Sequence, residues 1–310
     1  MQLCRFNDNR LGLVEGDTVK DVTAALDALP AARYPLPTYD LLIANLPTLR
    51  PAIEAAAKAA KAAKSMQLAQ CKMLSPIANP GKIVAAPVNY KKHLDEARAD
   101  PQIHHQNQVA EIQRVGLFLK ATSSLVGPSE GFAIRHPERR TDHEIELAAV
   151  IGTTANKVTR EDALSHVAGY CIGLDITVRG PEERSLRKSI DGYSVLGPWL
   201  VTADAVKDPS NLDLLLTVND ETRQKANTRD LIIDIADLIV FATSFYTLHP
   251  GDVIMTGTPE GVGPIMSGSL FVAWIRGRGA LLVMVRFLAI PSTGRDRRAA
   301  PGVGSSFNAC

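Results

Sequence analysis

The sequence predicts a mixed α/β fold, mostly β, with a small N-terminal α+β unit ahead of a larger strand-rich domain. Three observations carry this. Segments 82–88, 145–151, 212–218, 269–275 and 280–287 are short runs rich in Ile, Val, Leu and Ala, bounded by turn residues. The stretch Leu74-Ser75-Pro76 to Pro80-Gly81 is dense in turn chemistry and marks a boundary near residue 75. A chain of 310 residues with 45% hydrophobic content has enough apolar surface for one large core or two domains.

Taken in order, Leu11 to Asp17 reads as a short hairpin with Gly16-Asp17 as its turn. Pro51 to Lys64 is alanine-rich with lysines at helical spacing. It predicts a solvent-facing helix that starts near a first-turn proline. Further helices are expected over about 90–114, 160–167 and 229–245. Asp220-Glu221 and Gly277-Arg278-Gly279 read as hairpin turns between strands. From Pro291 onward Pro, Gly, Ser and Arg dominate, and too little apolar surface is available to offset ordering. The organisation is therefore 1–75, a small N-terminal domain; 76–290, the main domain; and 291–310, a disordered tail.

The composition excludes several classes. A net charge of +1 with no clustered basic face argues against nucleic acid as a partner. No apolar run approaches the roughly 18 residues of a membrane span. The start, Met1-Gln2-Leu3-Cys4-Arg5, has no signal-peptide core. Cys4, Cys71, Cys171 and Cys310 have no paired short spacing, so free thiols and a cytoplasmic location are expected.

The strongest chemical signal is Thr141-Asp142-His143-Glu144-Ile145-Glu146, running into an apolar strand that ends at Ile151-Gly152. Residues two apart on a strand share a face, so Glu144 and Glu146 lie side by side at a core edge. They are either a hydrated strand edge or a pair held together by a cation, because adjacent carboxylates raise each other's pKa. Asp175 sits in Gly169-Tyr170-Cys171-Ile172-Gly173-Leu174-Asp175, an otherwise buried-looking run, and a buried Asp needs a partner. Arg179 is one such partner; a metal shared with Glu144 and Glu146 is another. An all-oxygen set favours Mg²⁺ or Mn²⁺ over Zn²⁺, with Ca²⁺ also compatible. His93 and Glu96 are three apart. On a helix they touch, and the carboxylate sets the imidazole tautomer and raises its basicity. His104 and His105 read as solvated.

These motifs, together with Lys188-Ser189-Ile190-Asp191, Leu196-Gly197-Pro198-Trp199, Leu248-His249-Pro250-Gly251-Asp252 and Thr256-Gly257-Thr258-Pro259-Glu260-Gly261, resemble the catalytic domain of the fumarylacetoacetate hydrolase family. Asn89-Tyr90-Lys91-Lys92-His93-Leu94-Asp95-Glu96 resembles its lid. The resemblance spans about residues 82–276. It implies a mixed β-sandwich-roll domain, usually dimeric, with metal ligands Glu144, Glu146 and Asp175. It further implies a His93–Glu96 base, Lys188 near the metal, and Thr258 with its turn gripping a substrate carboxylate. Arg179 is a second candidate for that grip, since its planar fork matches a carboxylate. One departure stands out: Arg179 is followed by Gly180-Pro181-Glu182, a shorter and stiffer turn than the family pattern.

The function expected is metal-dependent hydrolysis of a C–C bond in an acylpyruvate-type 2,4-dioxo acid. An isomerase, hydratase or decarboxylase on a related 2-oxo acid is the alternative. A non-catalytic binding homologue is disfavoured, because it has no physical reason to keep a self-repelling carboxylate cluster. A small 2-oxo acid, a divalent metal and a second copy of the chain are the expected partners.

Overall fold

The structure is a computed structural model that describes residues 1–60, 65–103, 111–277 and the backbone of 280–290. Its centre is a 12-stranded sheet. Along its main path the order is Ser65–Gln67, Thr18–Asp21, Arg10–Glu15, Gln2–Phe6, Ser194–Thr202, Val167–Asp175, Ile145–Ile151, Val253–Met255, Ile83–Ala85 and Phe118–Lys120. A five-stranded sheet packs against it, in the order Glu221–Asn227, Asp213–Val218, Leu270–Gly277, Ala280–Ile290 and Phe132–Ala133. A small third sheet joins Thr177–Val178, Thr141–His143 and Gly263–Pro264. The mixed, mostly β architecture expected from the sequence is what forms.

Alternation along the central strands explains the layering. Ile145, Leu147, Ala149 and Ile151 enter the core shared with the five-stranded sheet, alongside Leu214, Leu216, Phe271 and Ala273. Ala148 and Val150 enter a second core on the opposite face. There the helix Leu46–Ala59 lays down Leu46, Leu49, Ile53 and Ala57, an apolar stripe at helical spacing.

That helix differs from expectation in two ways. It begins at Leu46, and Pro47 takes the first-turn position, so Pro51 lies inside it. One face is buried against the sheet, because alanine and leucine at that spacing cover apolar strands that would otherwise face water. The N-terminal hairpin forms as Arg10–Glu15 with Thr18–Asp21. Its neighbour Gln2–Phe6 pairs antiparallel with Ser194–Thr202, so the first 75 residues extend the main sheet. The helix expected over 90–114 is seen as Lys91–Ala99 and Ile112–Val115. That over 229–245 starts later, at Ile235, where Asp234 accepts from the Asp237 N–H. The tail at 291–310, the turn residues Arg278 and Gly279, and His104 and His105 lie outside the described residues. Among the described residues no helix is long and apolar enough to cross a membrane.

Candidate active site

Two central strands carry the acids. Ile145–Ile151 pairs antiparallel with Val167–Asp175, Ile145 opposite Leu174 and Glu146 opposite Gly173. The pairing is extended by the Asp175 N–H donating to the Glu144 carbonyl at 2.9 Å. Glu146 has the parity of Ala148 and Val150, and Asp175 that of Cys171, so both project from the same face of the sheet. Glu144, one residue before its strand, joins them. One oxygen from each of Glu144, Glu146 and Asp175 falls within 4.8 Å of the others, and all three residues are buried.

The charges around them are unequal. Glu144 accepts from Lys188 Nζ at 2.6 Å and from Arg179 at 2.9 Å. Asp175 accepts from Lys188 at 2.7 Å and from Lys120 at 2.5 Å. Glu146 has a backbone donor instead, the Gly257 N–H at 2.8 Å. The consequence is a split titration. Burial pushes Glu144 up, but Lys188 and then Arg179 outweigh it and hold its carboxyl far below the ordinary range. Glu146 is raised well above that range, by burial first and by the Asp175 charge second. A buried carboxylate that lacks its own cation beside two charged neighbours is what a divalent ion would neutralise. The donor set is hard oxygen throughout, so the residues fit Mg²⁺ or Mn²⁺. The Tyr90 hydroxyl, also buried, has no hydrogen-bond partner among the described residues and is acted on by the Glu146 charge, which leaves a donor for a bound group.

Lys188 ends the short helix Arg184–Lys188, capped by the Glu183 carboxylate accepting from Ser185 N–H. Its three ammonium donors are all used, the third on Thr177 Oγ1 at 2.7 Å. Lys120 also bonds the Tyr193 carbonyl at 2.7 Å. Burial lowers the pKa of Lys120, with Asp175 opposing. Lys120 carries little signal in the sequence. The only local trace of it is a lone lysine on the inward parity of the apolar run Phe118-Leu119-Lys120.

The segment expected to form the lid lies close enough for His93 to act on the Glu144 charge. On Lys91–Ala99, His93 is buried and its Nδ1 is 2.8 Å from Glu96 Oε2. Beside an ionised Glu96, Nδ1 carries the proton and Nε2 is free to accept one. The other oxygen, Glu96 Oε1, accepts from the Gly261 N–H at 2.9 Å. Asn89, at the foot of the lid, donates to the carbonyls of Ile233 and Thr256. The turn that receives Glu96 depends on Gly257 and Gly261, both with positive φ. A Cβ on Gly261 would come within 2.0 Å of the Arg223 carbonyl oxygen.

Arg179 and Thr258 are brought to the site and spend their donors within the protein. Arg179 donates Nε to Asp142 at 2.9 Å and a terminal nitrogen to Glu144. Thr258 Oγ1 donates to the Ile145 carbonyl at 2.8 Å and accepts from Gln224 at 2.8 Å. Gln224 also receives the Ile145 N–H at 3.0 Å, so one amide ties the Thr258 turn to the strand carrying the acids. Asp142 and Gln224 had no distinguishing sequence signal. Gln224 in particular sits among exposed Glu221, Thr222, Arg223 and Lys225.

Residues 82–286 match the family described as "Fumarylacetoacetate (FAA) hydrolase C-terminal". The maleylpyruvate hydrolase of Aquipseudomonas alcaligenes is 56% identical over 290 residues, covering 92% of this chain and 99% of that protein. A maleylpyruvate hydrolase from Sphingobium sp. SYK-6, solved with manganese(II) and pyruvate, superposes with a TM-score of 0.78 at 41% identity. It covers 94% of this chain and all of that one. A 5-carboxymethyl-2-hydroxymuconate delta-isomerase from Mycobacterium smegmatis is more distant, with TM-score 0.68 and 27% identity over 95% of this chain. The chain belongs to the fumarylacetoacetate hydrolase family. Within it, the relatives nearest in sequence and in structure among these three share the name of one hydrolase.

Proposed function

We propose that this chain hydrolyses maleylpyruvate, or an acylpyruvate of the same length, to a carboxylic acid and pyruvate. It is a hydrolase acting on the C–C bond of acylpyruvate-type 2,4-dioxo acids. The observation that carries the reading is the His93–Glu96 pair, with His93 buried and Glu96 half-buried and tied to Gly261, beside three converging carboxylates. That is equipment for activating water.

In this reading Glu144, Glu146 and Asp175 hold a divalent cation, Mg²⁺ or Mn²⁺. When bound, that ion supplies a Lewis acid for the 2-oxo acid head of the substrate. His93 Nε2 removes a proton from water as its oxygen attacks the distal carbonyl, and Glu96 stabilises the resulting imidazolium. The bond between C3 and C4 then breaks, with its electron pair leaving on pyruvate as the enolate. Lys188 supplies positive charge at that end of the site. The proton carried by His93 returns to the leaving carbon, so water and substrate balance acid and pyruvate. Arg179 and Thr258 act by holding Glu144 and the Gly257–Gly261 turn in place, with the turn facing the substrate carboxylate.

The same reading takes the protein as cytoplasmic and homodimeric. The described cysteines Cys4, Cys71 and Cys171 are free thiols, which suits a reducing compartment. The end strand Phe118–Lys120 borders an apolar cavity of about 530 Å³ with Leu119 and Leu186 exposed at it, a surface a second copy would cover.

The test is turnover in ¹⁸O-water with Mg²⁺ or Mn²⁺. Label in one carboxylate of the released acid, with one pyruvate formed per acid, is expected. Conversion of maleylpyruvate to an isomer with no pyruvate released would replace hydrolase by isomerase.

A further inference from the structure

The helix Arg184–Lys188 presents two cations on one face. Arg184 and Lys188 are four residues apart, so they stand one above the other, about 6 Å along the axis. Both lie over the same ring: the Arg184 guanidinium carbon is 5.5 Å and Lys188 Nζ 5.7 Å from the centroid of Phe118. Their bonding is opposite. Lys188 has every donor filled, two of them by the metal-site acids. Among the described residues Arg184 has no hydrogen-bond acceptor and no ion pair.

The other arginines near the site contrast with it. Arg139 holds Glu182 and the Arg179 carbonyl, and Arg140 holds Asp142 and Asp100. Arg179 holds Asp142 and Glu144, and Arg187 holds the carbonyls of Glu182 and Val178. Arg184 is half-buried, and burial is the main influence lowering its pKa. The charges of Glu183, Glu144 and Asp175 oppose that effect. The Phe118 ring lies 5.5 Å from the guanidinium carbon, and among the described residues the guanidinium N–H groups have no acceptor. Five planar donors drawn partly out of water, one helical turn from the group that marks the pyruvate end, match a second carboxylate. A linear acylpyruvate whose acyl part carries a terminal carboxylate has its two ends separated by a comparable span.

We propose that Arg184 recognises the carboxylate at the far end of the substrate and so selects dicarboxylic acylpyruvates over those with a neutral acyl group. This rests on the hydrolase reading for its substrate, but not for its test. The chemistry predicts a bidentate pair formed only on binding. Arg184 is a specificity residue that acts on the non-reacting end.

The decisive measurement uses two 2-oxo acids that cannot be hydrolysed, 2-oxopimelate and 2-oxoheptanoate. They share a chain of seven carbons and differ in the terminal carboxylate. With the Mn²⁺-loaded enzyme, calorimetry is expected to show roughly 10- to 100-fold tighter binding of 2-oxopimelate, the usual worth of a charge-assisted bidentate pair. In R184M that preference collapses to within about threefold, while R184K keeps part of it as a point charge. In turnover, R184M raises KM for maleylpyruvate far more than it lowers kcat. Its kcat/KM ratio for maleylpyruvate over acetylpyruvate falls by the same factor as the binding preference. Equal wild-type affinity for the two probes, or a preference that survives in R184M, overturns the proposal. A wild type that shows the Arg184-dependent preference but cleaves neither acylpyruvate leaves the recognition standing and removes the hydrolase reading.

Discussion

The Gly261 N–H donates to Glu96 across 165 residues of sequence, at 2.9 Å. One oxygen of that carboxylate thereby clamps the lid, and the other orients His93. In the proposed mechanism the two contacts are coupled, since the same carboxylate that aligns the imidazole also ties Lys91–Ala99 to the Gly257–Gly261 turn. Replacing Glu96 with Ala is expected to lower kcat and also to speed amide exchange in Lys91–Ala99, which exchange mass spectrometry reads. Unchanged exchange would separate the two roles.

In the proposed mechanism, His93→Ala removes the base and nothing from the metal set. Turnover is expected to fall by roughly 10²- to 10⁴-fold, the usual contribution of general-base catalysis. Calorimetric Mn²⁺ affinity should stay within a few-fold of wild type, and its loss would make His93 a ligand instead.

Glu146 governs pH dependence. Burial, and then Asp175, raise its folded pKa above the ordinary carboxylate value, so without metal it keeps a proton to higher pH than an exposed Glu does. A divalent ion must displace that proton, so affinity rises with pH through the window above about pH 4.3 and falls as pH drops. Folding without metal has the opposite sign: stability drawn from protonated Glu146 is lost as pH climbs through its raised pKa. Mn²⁺ titrations in two buffers of different ionisation enthalpy should reveal proton release. Affinity that is flat from about pH 5 to 8 would contradict this. Glu146→Gln should bind Mn²⁺ weakly at every pH.

Lys120 is fully buried against Asp175 and the Tyr193 carbonyl. Lys120→Met leaves Asp175 with one cation fewer, and breaking such a buried pair costs on the order of 3–5 kcal/mol. Urea unfolding of the metal-free variant should show a loss of this size, and saturating Mn²⁺ should recover part of it. A variant as stable as wild type would mean that Lys120 is a spare charge.

The N-terminal strands make a further prediction. Gln2–Phe6 pairs with Ser194–Thr202, and Leu3, Leu11 and Leu13 share a core with Val150 and Met255. A chain starting at Pro76 exposes that core, so it is expected to aggregate or to unfold at low urea. A stable, active truncation would vindicate an independent domain at residues 1–75.

How much of this was legible depends on whether a residue's role was written in its neighbours. The Ile145–Ile151 strand declares itself by apolar composition, and Glu144 and Glu146 by their two-residue spacing. Asp175 shows as one acid in an apolar run, and His93 and Glu96 by helical spacing. Lys120, Asp142 and Gln224 act through partners far away in sequence, as in the 79-residue separation of Gln224 from Ile145, and local pattern carries no trace of such pairings. Arg179 illustrates the same limit. Its planar fork suits a carboxylate, but sequence does not say whether that carboxylate belongs to a ligand or to Asp142 and Glu144. The helix begins at Leu46 rather than near Pro51: Pro47 takes the first-turn position, and the buried apolar stripe begins at Leu46.

The two halves of the site also differ in the order in which the chain can assemble them. All three metal-site acids sit on or beside one antiparallel pair of consecutive strands, Ile145–Ile151 and Val167–Asp175. The proposed base, His93, is oriented by Glu96, whose contact with the Gly261 N–H spans 165 residues. Short-range pairings close early in folding, and contacts of high sequence separation come late, because loop-closure entropy must be offset before they add stability. A growing or refolding chain therefore gathers its acids before it gains its base. Metal added during refolding is therefore expected to act on this early-forming strand pair, raising the yield of folded protein, whereas metal added afterwards would only fill a finished site.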